Sequence, residues 1–248
     1  MAQWFWLQDT EPGGDQFNSI HEKLLAAWQA LRQRDDSPIH FSAMSGVVED
    51  YVTVEYLRDT AIQSGFETDY LDVEEVGYSQ RQRRFVDGRE RPIRRIFKLY
   101  PWEWLLRDEF GRYVPEAPTR WLEPAWKMVL SCKSILPLLY ERFPRCPYLL
   151  EASFDPLEGD HVRKPVHARE GSNIQVVVGG QVVVETDGPY DQGPFVYQRF
   201  SPPRPFDGRY PILGAWVVNG QACGLGIRED DGVVTRNTSR FVPHRMLL

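Results

Sequence analysis

The sequence predicts a mixed fold, with an α/β front half and a β-rich α+β back half. Two observations carry this prediction: helical and strand-like apolar patterns alternate in the first half, whereas short apolar runs separated by turn residues fill the second. With 248 residues, of which 42% are hydrophobic and 8 are tryptophan, the chain can bury a substantial core. The pattern changes near residues 112–120, so we predict two domains, 1–112 and 113–248.

The front half begins with an amphipathic helix over residues 17–33, where apolar side chains recur at helical spacing. A short buried strand over residues 39–44 follows, then a helix over residues 49–64 that stops at Gly65, a favourable residue after a helix end. Residues 66–73 are again strand-like. A strand, a helix and a second strand form a βαβ unit, which predicts a parallel sheet.

Residues 78–92 are polar and arginine-rich, which indicates a hairpin or loop, and residues 93–99 resume a strand. A helix is predicted to start near Tyr100, with Pro101 in its first turn. A loop over residues 111–119 leads to a short strand at 120–122. An amphipathic helix is then predicted over residues 131–143, ended by Pro144.

The back half is a succession of predicted antiparallel strands. Gly179-Gly180 and Asn219-Gly220 lie between apolar runs, and Asn-Gly is the strongest short hairpin signal that a sequence can carry. The predicted strands cover residues 161–166, 174–178, 181–186, 194–200, 210–218 and 221–228.

Composition excludes several classes of protein. The chain has 29 lysine and arginine residues against 35 aspartate and glutamate residues, a net charge of −6, which argues against a dedicated nucleic-acid binder. Three scattered cysteines indicate neither a disulfide framework nor a zinc site. No apolar run approaches the ~18–20 residues of a membrane span, and the first residues do not form a secretory leader. We therefore expect a cytoplasmic protein without a membrane partner.

The strongest candidate for chemistry is the stretch of residues 161–173, a strand carrying Lys164 followed by a glycine-containing loop. Backbone amides and a lysine ammonium can together hold a triphosphate. The equally weighted alternative is a solvated basic strand before an ordinary hairpin. Lys127, Arg169 and Arg228 would each be surface cations if taken alone, but together with Lys164 they favour an anion site. A nucleophile elbow and a Walker-type loop are both missing from the sequence.

Several separated motifs, in order along the chain, resemble the synthetase part of glutathionylspermidine synthase and its shorter bacterial relatives. The motifs are Leu99-Tyr-Pro-Trp-Glu-Trp104, Glu123-Pro-x-Trp-Lys127, Val162-Arg-Lys-Pro165, Arg169-Glu-Gly-Ser-Asn173, Gly226-Ile-Arg-Glu-Asp230 and Thr238-Ser-Arg-Phe-Val-Pro-His244. The resemblance implies an ATP-grasp fold, with a partial pre-ATP-grasp α/β domain at 1–112 and the ATP-grasp lobes at 113–248.

The resemblance also implies a reaction. The family uses ATP and Mg²⁺ to convert a carboxylate into an acyl phosphate, which an amine then attacks to form an amide. The partners implied are small molecules: glutathione or a peptide as the acid, and a polyamine as the amine.

Site residues follow from the matched motifs. Lys127 and Lys164 match the ATP-contacting lysines of the two lobes, and Arg169, Glu170 and Gly171 match the flexible loop over the phosphates.

Three further residues match positions around the nucleotide. Gln198 lies in the strand expected to surround the adenine, and Arg228 matches the catalytic arginine that stabilises the transferring phosphoryl group. Thr235 follows in the loop after that arginine.

Glu49 and Asp50 match an acidic pair that could meet the polyamine. An equally weighted alternative is that carboxylates simply suit the N-terminus of a helix.

The family's magnesium ligands lie in Arg-x-Asp and Glu-x-Asn-x-Asp-Thr-Pro segments that precede the residues matching Ala2–Gln8. We therefore expect no metal ligands in this chain and interpret it as an N-terminally truncated, inactive or incomplete ligase. The alternative is a non-catalytic nucleotide-binding or interaction protein that has lost the metal site.

Overall fold

The predicted change of character along the chain corresponds to two sheet-based units in the computed structural model, which describes residues 2–190 and 192–247. The parallel-sheet unit comprises Asn18–Met128 and Val217–Cys223. The antiparallel-sheet unit comprises Met1–Phe17, Val129–Trp216 and Gly224–Leu248.

Six α-helices occur in the described residues: α1 (Ala2–Thr10), α2 (Ile20–Arg32), α3 (Val48–Gln63), α4 (Trp102–Leu105), α5 (Met128–Ser131) and α6 (Ile135–Arg142). Short 3₁₀ turns cover Val73–Glu75, Gly111–Tyr113 and Ala125–Lys127. The strands described are β1 (Ile39–Ala43), β2 (Thr68–Asp72), β3 (Gly77–Ser79), β4 (Arg84–Val86), β5 (Arg95–Leu99), β6 (Arg120–Leu122), β7 (Ala152–Ser153), β8 (His161–Pro165), β9 (Gln175–Val178), β10 (Gln181–Glu185), β11 (Phe195–Arg199), β12 (Tyr210–Val218), β13 (Gln221–Asp230) and β14 (Arg240–Val242).

The parallel-sheet unit contains a four-stranded sheet in the order β2-β1-β5-β6, and every pair in it is parallel. All five residues of β1 are buried, as expected for an inner strand with both faces covered. Helix α3 connects β1 to β2, which confirms the predicted βαβ unit. It ends before Gly65, whose φ of 88° is left-handed, so a residue with a Cβ would be strained there.

The core of this unit has two parts. On one side, Trp28 of α2 meets Phe41 and Phe66 edge to face, with Val54 and Ala61 of α3 beside them. A second cluster joins Leu71, Phe85, Ile93 and Ile96. The stretch predicted as a hairpin or loop contains the two-stranded hairpin β3-β4, and its Tyr78 stacks on Tyr113.

The antiparallel-sheet unit contains a five-stranded sheet in the order β10-β9-β8-β11-β7. All of its described pairs are antiparallel, as the turn-rich sequence predicts. A further sheet has the order β12-β13-β14, with β12 and β13 joined at Asn219-Gly220. Both turn residues have positive φ, at 49° and 77°, which is the backbone that a two-residue hairpin requires.

The mixed fold class is confirmed, and the differences concern local elements and the boundary. Helices α1, α4 and α6 differ from expectation: α1 lies outside every predicted element, α4 is a single turn, and α6 starts at Ile135 rather than Ser131. The chain passes between the units after Met128 rather than at residue 112, because β6 completes the parallel sheet. Residues 1–17 join the other unit, where the backbone of Asp15 pairs with Met246.

Helices long and apolar enough to cross a membrane are absent from the described residues, 2–190 and 192–247.

Candidate functional site

Strand β8 places Lys164 beside Gln198 of the neighbouring strand β11. Lys164 pairs with Val196, and Gln198 lies two residues further along β11, so both side chains project from the same face of the sheet. The Lys164 Nζ donates a hydrogen bond of 2.6 Å to Gln198 Oε1. The sheet therefore brings two of the residues predicted to bind ATP into direct contact.

Lys133 is a second lysine at this site, and the sequence analysis did not identify it. Its backbone N–H donates to Val166 O at 3.0 Å, and its Nζ donates to Ala168 O. Both acceptors belong to the segment that directly follows β8. Lys133 is thereby attached to the same stretch of chain that carries Lys164.

The ammonium groups of Lys133 and Lys164 lie in an electrostatically unfavourable setting. Burial lowers the pKa of Lys164, and the positive charge of Lys133 lowers it further. Burial also lowers the pKa of Lys133, with the charge of Arg169 acting in the same direction. The hydrogen bonds described for the two ammonium groups go to neutral oxygens, so the local charge is positive. An anionic ligand would relieve both the repulsion and the desolvation.

The loop predicted to cover the phosphates follows β8 directly. Glu170 and Gly171 both have positive φ, at 54° and 72°, and the Ser172 N–H closes a turn onto Arg169 O at 3.0 Å. Thr186 Oγ1 donates to Gly171 O at 2.5 Å, which attaches the loop to the segment after β10. Successive backbone N–H groups in a turn can face one side, a geometry suited to an anion.

Thr235, a further predicted site residue, lies against this loop. A Cβ added to Gly171 would overlap the carbonyl oxygen of Thr235 and come within 2.9 Å of Val234 Cγ1. Arg228 of β13 donates from Nη2 to Asn237 O at 3.2 Å, in the same loop as Thr235. The antiparallel-sheet unit thus connects seven of the predicted site residues: Lys164, Arg169, Glu170, Gly171, Gln198, Arg228 and Thr235.

The other predicted site residues lie in the parallel-sheet unit. Lys127 ends the 3₁₀ turn after Pro124 and forms an ion pair with Glu123 four residues earlier. An ammonium that already has a carboxylate partner gains less from binding a phosphate than Lys133 or Lys164 would. The role predicted for Lys127 in ATP binding stays a prediction.

Glu49 and Asp50 occupy the first turn of α3, with Glu49 exposed. Burial raises the pKa of Asp50, and the neighbouring charge of Glu49 raises it further. The residue before the helix, Val47, provides no side-chain cap. Both interpretations remain: the carboxylates suit the helix N-terminus, and they also form an exposed acidic pair that could receive a cation.

A small cavity of about 100 Å³ lies on the opposite face of the five-stranded sheet from Lys164. Its lining includes Arg163, which is adjacent to Lys164 in β8 and stacks on the Phe195 ring at 3.4 Å. Ligand pockets for drug-sized molecules start at roughly 300 Å³, so this cavity is too small for a nucleotide.

Groups of three or more histidine, cysteine, aspartate or glutamate side chains that could hold a metal ion are absent from residues 2–190 and 192–247.

The missed residue Lys133 did carry a sequence signal. A lysine at the start of a predicted helix opposes the helix dipole, because the N-terminus is the positive end. In the structure α6 begins at Ile135, so Lys133 precedes the helix instead of belonging to it. A cation in that position indicates an anion site or a later helix start, and the later helix start is what the structure shows.

Comparison with known proteins yields a consistent set of matches. A family model described as the pre-ATP-grasp part of glutathionylspermidine synthase matches residues 1–247. A protein of Haemophilus influenzae, provisionally described as an acid–amine ligase, is 42% identical over 98% of this chain. The trypanothione synthetase of Crithidia fasciculata is 28% identical over 92% of the chain. The bifunctional glutathionylspermidine synthetase/amidase of Escherichia coli is 26% identical over 93%.

The chain spans only part of each of these relatives. The matched region covers 66% of the Haemophilus protein, 39% of the Crithidia protein and 42% of the Escherichia protein.

Proposed function

Because the chain belongs to the glutathionylspermidine synthase family, we propose that it carries the ATP-binding part of a carboxylate–amine ligase with an ATP-grasp fold. The names of the relatives support ligase chemistry, since they describe an acid–amine ligase and two synthetases. The single observation that carries the proposal is the half-buried pair Lys133–Lys164, whose described hydrogen bonds go to neutral oxygens.

In this proposal the two lysines and the 169–171 loop hold the phosphates of ATP. The ammonium groups act as point charges on the phosphate oxygens, and the loop offers backbone amides. Because Gln198 Oε1 accepts from Lys164, Gln198 also fixes the direction of that ammonium. Its contact with the adenine remains part of the proposal.

The reaction proceeds in two steps. A carboxylate oxygen of the acid attacks the γ-phosphorus of ATP, which forms an acyl phosphate and releases ADP. The amine nitrogen then attacks the acyl carbon, loses a proton, and expels phosphate to leave the amide. Arg228 stabilises the negative charge of the transferring group.

The substrates follow from the relatives' names and from one feature of the chain. We propose glutathione or a peptide as the acid and a polyamine as the amine, as the synthetase names suggest. The acidic pair Glu49 and Asp50 supports a cationic amine, since opposite charges favour its binding.

The proposal is tested by nucleotide binding and by ADP release with glutathione and a polyamine. We expect Lys164→Met and Lys133→Met each to weaken ATP binding by about 100-fold, because each removes a buried charge from the phosphates. Arg163→Met is the matched control, since Arg163 is adjacent in β8 but projects from the opposite face. It should change the dissociation constant of ATP by less than about threefold.

The outcomes separate the alternatives. Unchanged ATP binding in Lys164→Met would refute the nucleotide site. ATP binding without ADP release, in the presence of the acid, the amine and Mg²⁺, would favour the non-catalytic nucleotide-binding protein. Lys127→Met tests the predicted role of Lys127, because a loss equal to that of Lys133→Met would place both lysines on the nucleotide.

A further inference from the structure

Asp230, the last residue of β13, is a buried carboxylate that the proposed mechanism does not use. It accepts hydrogen bonds from Arg236 Nη2 at 2.8 Å, from Ser239 Oγ at 2.5 Å and from the Gly232 N–H at 3.1 Å. The bonds to Arg236 and Ser239, with that to Gly232, hold its pKa well below the ordinary aspartate range. Asp230 therefore stays ionised at any pH at which the protein would work.

These hydrogen bonds close a loop. Residues 231–239 leave β13 and return as β14, and the partners of Asp230 lie at the start, in the second half and at the end of that loop. Arg236 and Ser239 also bond to each other, through Arg236 N–H to Ser239 Oγ at 2.8 Å and Ser239 N–H to Arg236 O at 3.1 Å. One carboxylate thus fixes the shape of the whole loop.

The loop fixed by Asp230 contacts the predicted phosphate loop. Val234 and Thr235 pack so closely on Gly171 that no side chain could be accommodated there. Gly171 is also held from another direction by Thr186 Oγ1. The position of the phosphate loop therefore depends on where the 231–239 loop holds Thr235.

The same loop contacts Arg228. Arg228 precedes Asp230 by two residues in β13, so the two side chains project from the same face of the strand. Arg228 Nη2 donates to Asn237 O, within the loop. A shift of the loop would move the supports of Gly171 and of Arg228 together.

We propose that Asp230 is a positioning residue for the nucleotide site, which holds the 231–239 loop so that Thr235 supports Gly171 and Asn237 supports Arg228. This inference rests on the proposed function, because the 169–171 loop is taken to contact ATP. Asp230 itself touches neither substrate nor reacting atoms in this role.

The first test is amide hydrogen exchange of residues 169–173 in the free protein, compared between the wild type and Asp230→Asn. The asparagine keeps the size of the side chain and an acceptor for Ser239, but it loses the ion pair with Arg236. We expect exchange in residues 169–173 to become roughly tenfold faster. The matched control is Asp35→Asn, which removes a carboxylate paired with a buried arginine in the parallel-sheet unit and should leave this loop unchanged.

The second test is kinetic. Asp230→Asn should raise KM for ATP by roughly tenfold with a smaller change in kcat. Arg236→Lys should raise KM by less than Asp230→Asn does, because it keeps the positive charge beside Asp230. Combining Asp230→Asn with Gly171→Ala should raise KM by less than the product of the single effects, because both act on the same contact. A purely structural carboxylate would give multiplicative effects.

Each outcome decides a separate point. Unchanged exchange in residues 169–173 of Asp230→Asn would overturn the positioning role, whatever the nucleotide results. An equal acceleration in Asp35→Asn would also overturn it, since the loop would then be responding to general loss of stability. Faster exchange in Asp230→Asn, together with no ATP binding by the wild-type protein, would instead overturn the proposed function and confine Asp230 to ordering the loop.

Discussion

The two units bury positive charge in opposite ways. In the parallel-sheet unit the guanidinium of Arg95 is almost fully buried, and it forms an ion pair with Asp35, which also pairs with Arg120. Hydrogen bonds from Ser37, and after them the contact with Arg95, lower the pKa of Asp35 to about 2. In the antiparallel-sheet unit, burial and a neighbouring cation instead lower the pKa of both lysines: the neighbour is Lys133 for Lys164 and Arg169 for Lys133.

This difference distinguishes a structural charge from a functional one. A buried cation that is matched by a carboxylate costs little once the pair is formed, and removal of one partner is what destabilises the fold. Two half-buried ammonium groups beside a third cation carry a cost in the free protein, and an anionic ligand would recover it. Perturbed groups of the second kind concentrate at functional sites.

The largest effect on stability is expected when the carboxylate that pairs with Arg95 in the parallel-sheet unit is removed. Asp35→Ala leaves the buried guanidinium of Arg95 without a carboxylate from residue 35, although it keeps its hydrogen bonds to the backbone oxygen of that residue and its contact with the Phe66 ring. We expect the free energy of unfolding to fall by about 3 kcal/mol, measured by urea denaturation. The double variant Asp35→Ala/Arg95→Met should recover part of the loss, because no unmatched charge remains. A double variant as unstable as the sum of both single changes would contradict the assignment of a structural ion pair.

The opposite response is predicted for the antiparallel-sheet unit. Lys164→Met should leave the free protein as stable as the wild type or more stable by about 1 kcal/mol, since it removes an unmatched buried charge. ATP at a hundredfold excess over the wild-type dissociation constant should stabilise the wild type by about 2.7 kcal/mol and the variant by only about 0.4 kcal/mol, because a 100-fold weaker affinity leaves the variant half saturated. Thermal unfolding with and without ATP measures both effects. A large destabilisation of the free variant would show that Lys164 is structural, like Arg95.

The smallest effect on stability is expected for Lys98 in β5, which is a buried lysine in the parallel-sheet unit. It shows how a buried ammonium behaves in the unit where Arg95 is matched by a carboxylate. Its Nζ donates to Tyr100 O at 2.6 Å and lies 3.9 Å from the centre of the Trp102 ring. Burial lowers the pKa of Lys98 from 10.5 to about 8. Between pH 8 and 10.5 the unfolded chain therefore binds more protons, so stability rises with pH across this window and the penalty is fully present below it.

Lys98→Met should abolish that rise. At pH 7 we expect the variant to be more stable by about 1 kcal/mol, because the recovered desolvation cost exceeds the lost cation–π contact. Above pH 10.5 this advantage should disappear. The difference between variant and wild type, measured by urea denaturation at several pH values, isolates Lys98 from the tyrosines that titrate nearby. An advantage independent of pH would contradict the lowered pKa.

Most of the strands and the longer helices could be predicted from sequence because each depends on a local pattern. Strand β12 and its Asn219-Gly220 turn appear at the predicted residues, and the βαβ unit, whose helix ends before Gly65, appears within about two residues of the predicted bounds. Helix α1 shows the limit of such reasoning. Trp4, Phe5 and Trp6 are all exposed, whereas Leu7 and the polar Gln3 are buried, so the apolar residues of this helix do not mark its buried face.

The sequence by itself determined the fold class, the succession of elements and the set of cations from which an anion site could be built. These follow from local periodicity, from turn residues and from motifs that are continuous along the chain. Only the tertiary structure decided which cations share a site. Lys133 and Lys164 are 31 positions apart in the chain, and they are brought together by backbone pairing between residues 133 and 166. Lys127 is nearly as close in sequence to Lys164 but has a carboxylate of its own in Glu123. Charge pairing depends on distance in space and on burial, and neither can be read from spacing along the chain.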